Sequence, residues 1–212
     1  LGEHITSIDA AFYIVPMVNA VQRSGTIEEK ELLFKSMLKY EAFEVIPSTK
    51  RGCKGQTERL VEQAVRMSTN VKNRQTRAQD ASMEYLENRI EKENMMDRKV
   101  LLFTLEPGKV DKNIAGLIAN KISAKYQRPS CMLTKVGDVY QGSARGYEMS
   151  GVTNFKDICD ETGCVNWTAG HQNAFGISID EGKIEEFLKL TDEALKDMSS
   201  EPIYYVDYIY NG

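Results

Sequence analysis

The chain has 212 residues, 42% of them hydrophobic, and a net charge of −4. That length holds one large domain or two small ones around a packed core, no apolar run approaches the ~20 residues of a membrane helix, and the acidic balance excludes a surface coated in basic charge. Four scattered cysteines (Cys53, Cys131, Cys159, Cys164) and only two histidines argue against a disulfide framework or a tetrahedral zinc site, and fit reduced thiols in a cytoplasmic protein.

The opening Leu1-Gly2-Glu3-His4 has no initiator Met, no basic stretch and no signal-like apolar segment, so the expectation is a piece of a longer chain. Residues 1–25 read as helical pieces, with Pro16 suited to a first helical turn and Gly25 to a helix end. Thr26 followed by Glu29 forms a capping box that starts the next helix, which carries Leu32, Leu33, Met37 and Leu38. Pro47 and Ser48–Gly55 read as a loop. Gln56 to Glu93 then contains neither Gly nor Pro, and its apolar residues fall mostly three, four or seven apart. One helix of that length would extend about 57 Å at ~1.5 Å per residue, which suits a connector between two domains.

The pattern then changes. Lys99–Leu105 is a short apolar run suited to a buried strand, and Asp111 is placed to cap a helix running to about Gln127, ahead of Pro129. Cys131–Val136 and Val139–Ser143 read as two strands joined at Gly137-Asp138. A short helix near Phe155–Glu161 ends at Gly163, Ala174–Ile179 is strand-like, Glu181–Met198 is an amphipathic helix, and Ile203–Tyr210 alternates like a final strand.

Charge is uneven along this order. Lys50 to Arg77 holds eight basic residues against Glu58 and Glu62, whereas Asp180 to Asp207 holds nine acids against three lysines. A local basic stripe can bind a polyanion, because charge acts within a Debye length of ~8–10 Å; the plainer reading is a solvated helix face.

Two clusters can carry chemistry. Gln141-Gly142-Ser143-Ala144-Arg145-Gly146 ends a strand, with glycines that let a ligand approach the backbone and an arginine fork that matches phosphate oxygens. Ala169-Gly170-His171-Gln172-Asn173-Ala174-Phe175-Gly176 reads as a loop running into a strand, with His171 able to stand beside Arg145. Each alone is more often structural than functional. No Asp/His cluster for two metals and no nucleophile–base pair is visible in the sequence, so the residues describe a ligand-binding piece.

Gly142-Ser143-Ala144-Arg145 resembles the Gly-Ser-Gly-Arg motif of the DHH-associated domain of RecJ-type single-stranded-DNA exonucleases, in the DHH phosphoesterase superfamily. Ala169–Gly176 resembles its Gly-Gly-His-x-x-Ala-x-Gly signature, and Asn113–Ile122 with Tyr126-Gln127-Arg128-Pro129 is similar to its helix ending in Tyr-x-Arg-Pro. Upstream, Pro16, Asn19, Ala20 and Arg23 match the segment that closes the DHH domain, with Val15 and Gln22 where glycines are usual. The Asp-His-His triplet that names the family is nowhere in the chain, and Tyr204–Tyr208 resembles the strand leading to a following nucleic-acid-binding barrel.

The resemblance implies an α/β fold, a mixed β-sheet flanked by helices, preceded by a long connector helix and a small helical segment. It divides the chain into a helical remnant of the DHH domain (1–54), the connector (55–97) and the DHH-associated domain (98–212). In the intact protein it implies 5′-to-3′ hydrolysis of single-stranded DNA with two Mn2+ or Mg2+ ions, held in an N-terminal DHH catalytic domain absent here. For this chain it implies substrate binding by Arg145, His171, Ser143, Gly142 and Gly170, with Asn19 and Arg23 as secondary candidates and no complete catalytic or metal set. It implies a single-stranded nucleic-acid partner, DNA ahead of RNA, and no membrane. Two alternatives remain open: a DHH-type phosphodiesterase of short oligonucleotides or cyclic dinucleotides, and a non-catalytic nucleic-acid-binding module.

Overall fold

The structure, a computed structural model, describes residues 4–147, 149 and 151–198. The expected strand at Ile203–Tyr210 lies outside the described residues. The chain divides into two compact units, Leu1–Asp80 and Ala81–Gly212.

The first unit is helical. Thr6 and Asp9 cap each other at α1 (Ser7–Asp9), a π-helical turn follows over Ala10–Ile14, and α2 (Val15–Ser24) carries Pro16 in its first turn and ends at Gly25. The Thr26–Glu29 capping box forms in both directions and opens α3 (Ile27–Ser36). The loop expected after Pro47 is flanked by a small antiparallel pair, β1 (Val45–Pro47) and β2 (Thr57–Arg59), and for that reason the long helix α4 begins at Leu60 and runs to Lys92. Polar side chains of α4 tie the unit together. Arg66 makes a two-pronged contact with Glu58 of β2, Nη1 to Oε2 at 2.5 Å and Nη2 to Oε1 at 2.7 Å. Arg74 does the same with Glu29, and Gln75 donates to the Ser24 hydroxyl at 2.7 Å. These pairings show that part of the basic stripe is committed to structure.

The second unit is built on a five-stranded mixed sheet in the order β3-β4-β5-β7-β6. β3 (Leu101–Leu105) runs parallel to β4 (Ser130–Val136), joined by α5 (Ala115–Tyr126); the other pairings are antiparallel, through β5 (Val139–Arg145), β6 (Val165–His171) and β7 (Ala174–Asp180). Alternation along the strands sends Leu101, Phe103 and Met132 to one face, under α5 and the end of α4, where Leu86, Ile90, Ile118 and Ile122 meet them. Leu102, Cys131, Leu133, Ala144, Phe175 and Ile177 face the other way, against Phe155 of α6 (Phe155–Glu161) and Phe187 of α7 (Ile184–Ala194). The hairpin turn at Gly137-Asp138 forms as expected, with Gly137 at φ 64°.

Two expectations are corrected. Asp111 does not cap α5: its carboxylate accepts from the Asn113 amide, and the helix starts at Ala115 after Ile114, with no side-chain cap. The segment read as a loop into a strand is a hairpin, β6–β7, with His171 the last residue of β6 and Gln172-Asn173 the turn.

Candidate phosphate-binding site

The end of β5 lies beneath the start of α5. Cys131 and Ala144 are a paired position facing the α6–α7 side, so Ser143 and Arg145, one residue either way, face α5. There they meet Gly116. A Cβ on Gly116 would lie 2.5 Å from Nη2 of Arg145 and 3.6 Å from the Ser143 hydroxyl, so the missing side chain makes room for the guanidinium. Gly116 is in the first turn of a 12-residue helix that no side chain caps. A helix start leaves its first amide N–H groups without intrahelical partners and carries partial positive charge. A guanidinium, a hydroxyl and an uncapped helix start together supply what an oxyanion needs.

The strand end is held firmly. Ser123 of α5 donates to Ser130 of β4 at 2.9 Å, and Ser130 donates to the Ala119 carbonyl at 2.9 Å. The Ser123 hydroxyl also reaches the Arg145 carbonyl at 3.4 Å, and Arg145 Nη1 donates to the Ala144 carbonyl at 2.7 Å.

His171 belongs to the same row. Arg145 pairs with Ala174 of β7, and Ala174 pairs with His171 of β6, so all three point to the α5 face. Two strand spacings put the Arg145 and His171 backbones ~10 Å apart. His171 is exposed and lines an open groove of about 410 Å3 with Asn120, Ser123 and Ala124 of α5 and with Gly146 and Tyr147. The Gln172-Asn173 turn that aims it is fixed by Asn173, which donates to the Thr153 carbonyl and accepts from the Phe155 amide.

The two candidate glycines have structural reasons. A Cβ on Gly142 would stand 1.9 Å from the Met132 carbonyl oxygen, so the space beside it is filled by β4 and not left open for a ligand. Gly170 has φ 137° and sits against the Ala174 and Phe175 backbone. Asn19 and Arg23 are exposed on α2, four residues apart on one helix face, in the first unit. Gly116 and Asn120 belong to the Asn113–Ile122 segment that resembles the family's helix but are not among the expected site residues, nor is Tyr147; the signal for Gly116 was a helix starting Ile-Ala-Gly with no capping residue type.

No protein-family model matches the chain. The chain is 34% identical over 204 residues, 93% of its length, to the SPbeta prophage-derived protein YorK of Bacillus subtilis strain 168, which is named as a single-strand DNA-specific exonuclease, and to its counterpart in Bacillus phage SPbeta. Its fold matches RecJ bound to manganese with a TM-score of 0.60, and the Mn2+ complex of RecJ from Thermus thermophilus with 0.58, each at 16% identity over 94% of the chain. The chain is thus similar in sequence to a segment of these exonucleases and in fold to a segment of RecJ. It spans about a third (35%) of the length of the curated relatives it matches, and 44% and 26% of the two RecJ structures. The mixed α/β architecture expected from the RecJ resemblance is the architecture found.

Proposed function

We propose that this RecJ-type segment grips the sugar–phosphate backbone of single-stranded DNA, as the substrate-holding part of an exonuclease whose metal-dependent hydrolysis resides elsewhere. The observation that carries this is the meeting of Arg145, Ser143 and the uncapped start of α5, which Gly116 makes possible. His171, across Ala174, supplies a second donor toward a neighbouring phosphate oxygen. The relatives' names as single-strand DNA-specific exonucleases support the choice of substrate.

Divalent cations are part of this reading, because the RecJ structures contain Mn2+ or Mg2+. The described residues of this chain do not fit them: no group of three His, Cys, Asp or Glu side chains gathers where it would hold a metal. No catalytic step is therefore assigned to this chain. A preceding catalytic domain is the partner proposed for the first unit, whose N-terminal helices leave Ile8, Phe12, Tyr13 and Val15 exposed.

The test is binding of an end-labelled single-stranded oligonucleotide by anisotropy at low and moderate salt. Arg145→Ala is expected to weaken binding about ten- to a hundredfold and to flatten its salt dependence, and His171→Ala less so, as loss of charge-assisted contacts requires. Binding indifferent to both substitutions would remove the phosphate assignment.

A further inference from the structure

The β6 strand contains an irregularity that the phosphate site does not use. Val165 pairs with Ile179, but the next pair is Trp167 with Ser178: two steps along β6 match one step along β7. The extra residue is a β-bulge, a device that turns a side chain to the other face of a sheet. Val165 packs into the core beneath α6 and α7. In a regular strand Trp167, two residues on, would follow it inward. The bulge sends Trp167 to the α5 face instead, where it remains 44% exposed.

The floor under the indole is built for it. A Cβ on Gly176 would come 3.1 Å from Cζ3 and 3.4 Å from Cη2 of Trp167, so the six-membered ring lies directly against this glycine. Gly176 pairs with Ser143 on one side and with Ala169 on the other. One small residue therefore separates the indole from the hydroxyl beside Arg145 and the start of α5. α5 packs on β4 and β5, and Trp167, Ala169 and His171 of the edge strand β6 are exposed on that face.

We infer that Trp167 is a stacking platform for a base of the strand whose phosphate lies at Arg145, Ser143 and the start of α5. The inference rests on the nucleic-acid reading above. An exposed aromatic face one strand spacing beyond an anion site matches the build of a nucleotide, base to one side and phosphate to the other. Stacking of this kind accepts any base, because every base has a π-face, and it suits a protein that handles single strands without reading their sequence.

Trp167 is the only tryptophan in the chain, so its emission reports on this position alone. The full chain is titrated with a short end-labelled oligothymidylate, following both tryptophan emission and label anisotropy. Quenching of Trp167 in step with the anisotropy rise is expected. Trp167→Ala is expected to weaken binding about five- to a hundredfold, and Trp167→Phe to retain most of it. An abasic oligomer of equal length should bind the wild-type chain as weakly as the oligothymidylate binds Trp167→Ala, whereas a platform for a protein partner would leave all of these oligomer affinities alike. Binding that depends on Arg145 while the emission stays constant and Trp167→Ala binds like wild type would overturn the stacking role and leave the phosphate site standing. No binding by the wild-type chain at low salt would overturn the nucleic-acid reading and the stacking role with it.

Discussion

Two glycines near the site, Gly142 and Gly116, illustrate how one residue type answers different constraints, and substitutions tell them apart. At Gly142 the obstacle to a Cβ is backbone, the Met132 carbonyl at 1.9 Å, so β4 and β5 must part. Gly142→Ala is expected to cost ~2 kcal/mol or more, as overpacking does, and to lower the melting temperature by several degrees. At Gly116 the obstacle is the far end of a flexible side chain, Nη2 of Arg145 at 2.5 Å. Gly116→Ala should leave the melting temperature within a degree or two, since alanine favours a helix, yet weaken oligonucleotide binding nearly as much as Arg145→Ala. Thermal melts and anisotropy on the two variants check both statements. The cysteines sort in a similar way. Burial pushes the Cys131 thiol up to about 12 and raises Cys159 as well, whereas Cys53 is half-exposed in the first unit. A thiol-reactive disulfide reagent at neutral pH should modify Cys53 readily and reach Cys131 and Cys159 only once the protein unfolds, because the thiolate is the reacting form.

Among the elements, those whose local signals agree with their surroundings were legible. The Thr26–Glu29 box, the Gly/Pro-free run of α4, the Gly137-Asp138 turn and the α6 segment all form as the residues indicate. β6 was not legible, and the physical reason is its bulge. Val165-Asn166-Trp167 breaks the period of two by which a strand is recognised, and Ala169-Gly170 adds no side-chain bulk to restore it. The start of α5 differs from the expectation for a local reason: Asp111 has the chemistry of a cap, while the helix starts after Ile114, whose side chain has no oxygen to accept from the first amides. At the site, Arg145 and His171 could be read as candidates from their glycine-rich contexts, but their common row depends on β7 lying between β5 and β6, which no local pattern encodes. The bulge itself makes a prediction. With His171 held opposite Ala174 by the turn, deleting Asn166 leaves Val165 opposite Ile179 and Trp167 opposite Ser178 in a regular strand. The deletion should therefore fold, keep the wild-type emission maximum, and lose only the hydrogen bond from Asn166 to Asp180. A blue-shifted emission would mean that Trp167 had turned into the core and that the pairing is otherwise.

At the scale of the whole molecule, the two units differ in what holds them. The second has large side chains buried on both faces of a sheet, among them Phe103, Phe155, Phe187 and Met132. The first gathers a small cluster around Val21, Leu33 and Val71, and leans on polar ties from α4 to β2 and to the start of α3. Apolar burial is the larger stabilising contribution, so the first unit should unfold at lower urea concentration than the second. Far-UV circular dichroism follows helices of both units, whereas Trp167 reports on the second; the dichroism transition should precede the emission transition. Acid should widen the gap. Arg66 holds the Glu58 carboxyl down to about 2, and Arg74 holds Glu29 below its ordinary value. A carboxyl whose pKa is depressed by folding stabilises the folded state fully above its unfolded value near 4.5, and that contribution fades as pH falls toward the folded value. Between pH 5 and pH 3 the dichroism midpoint should thus move to lower urea faster than the emission midpoint. Glu58→Gln should lower the dichroism midpoint at pH 7 and reduce its further drop at pH 3, because the group that takes up the proton has gone. Equal pH dependence of the two midpoints in wild type and variant would show that the Glu58–Arg66 pair does not hold the first unit together.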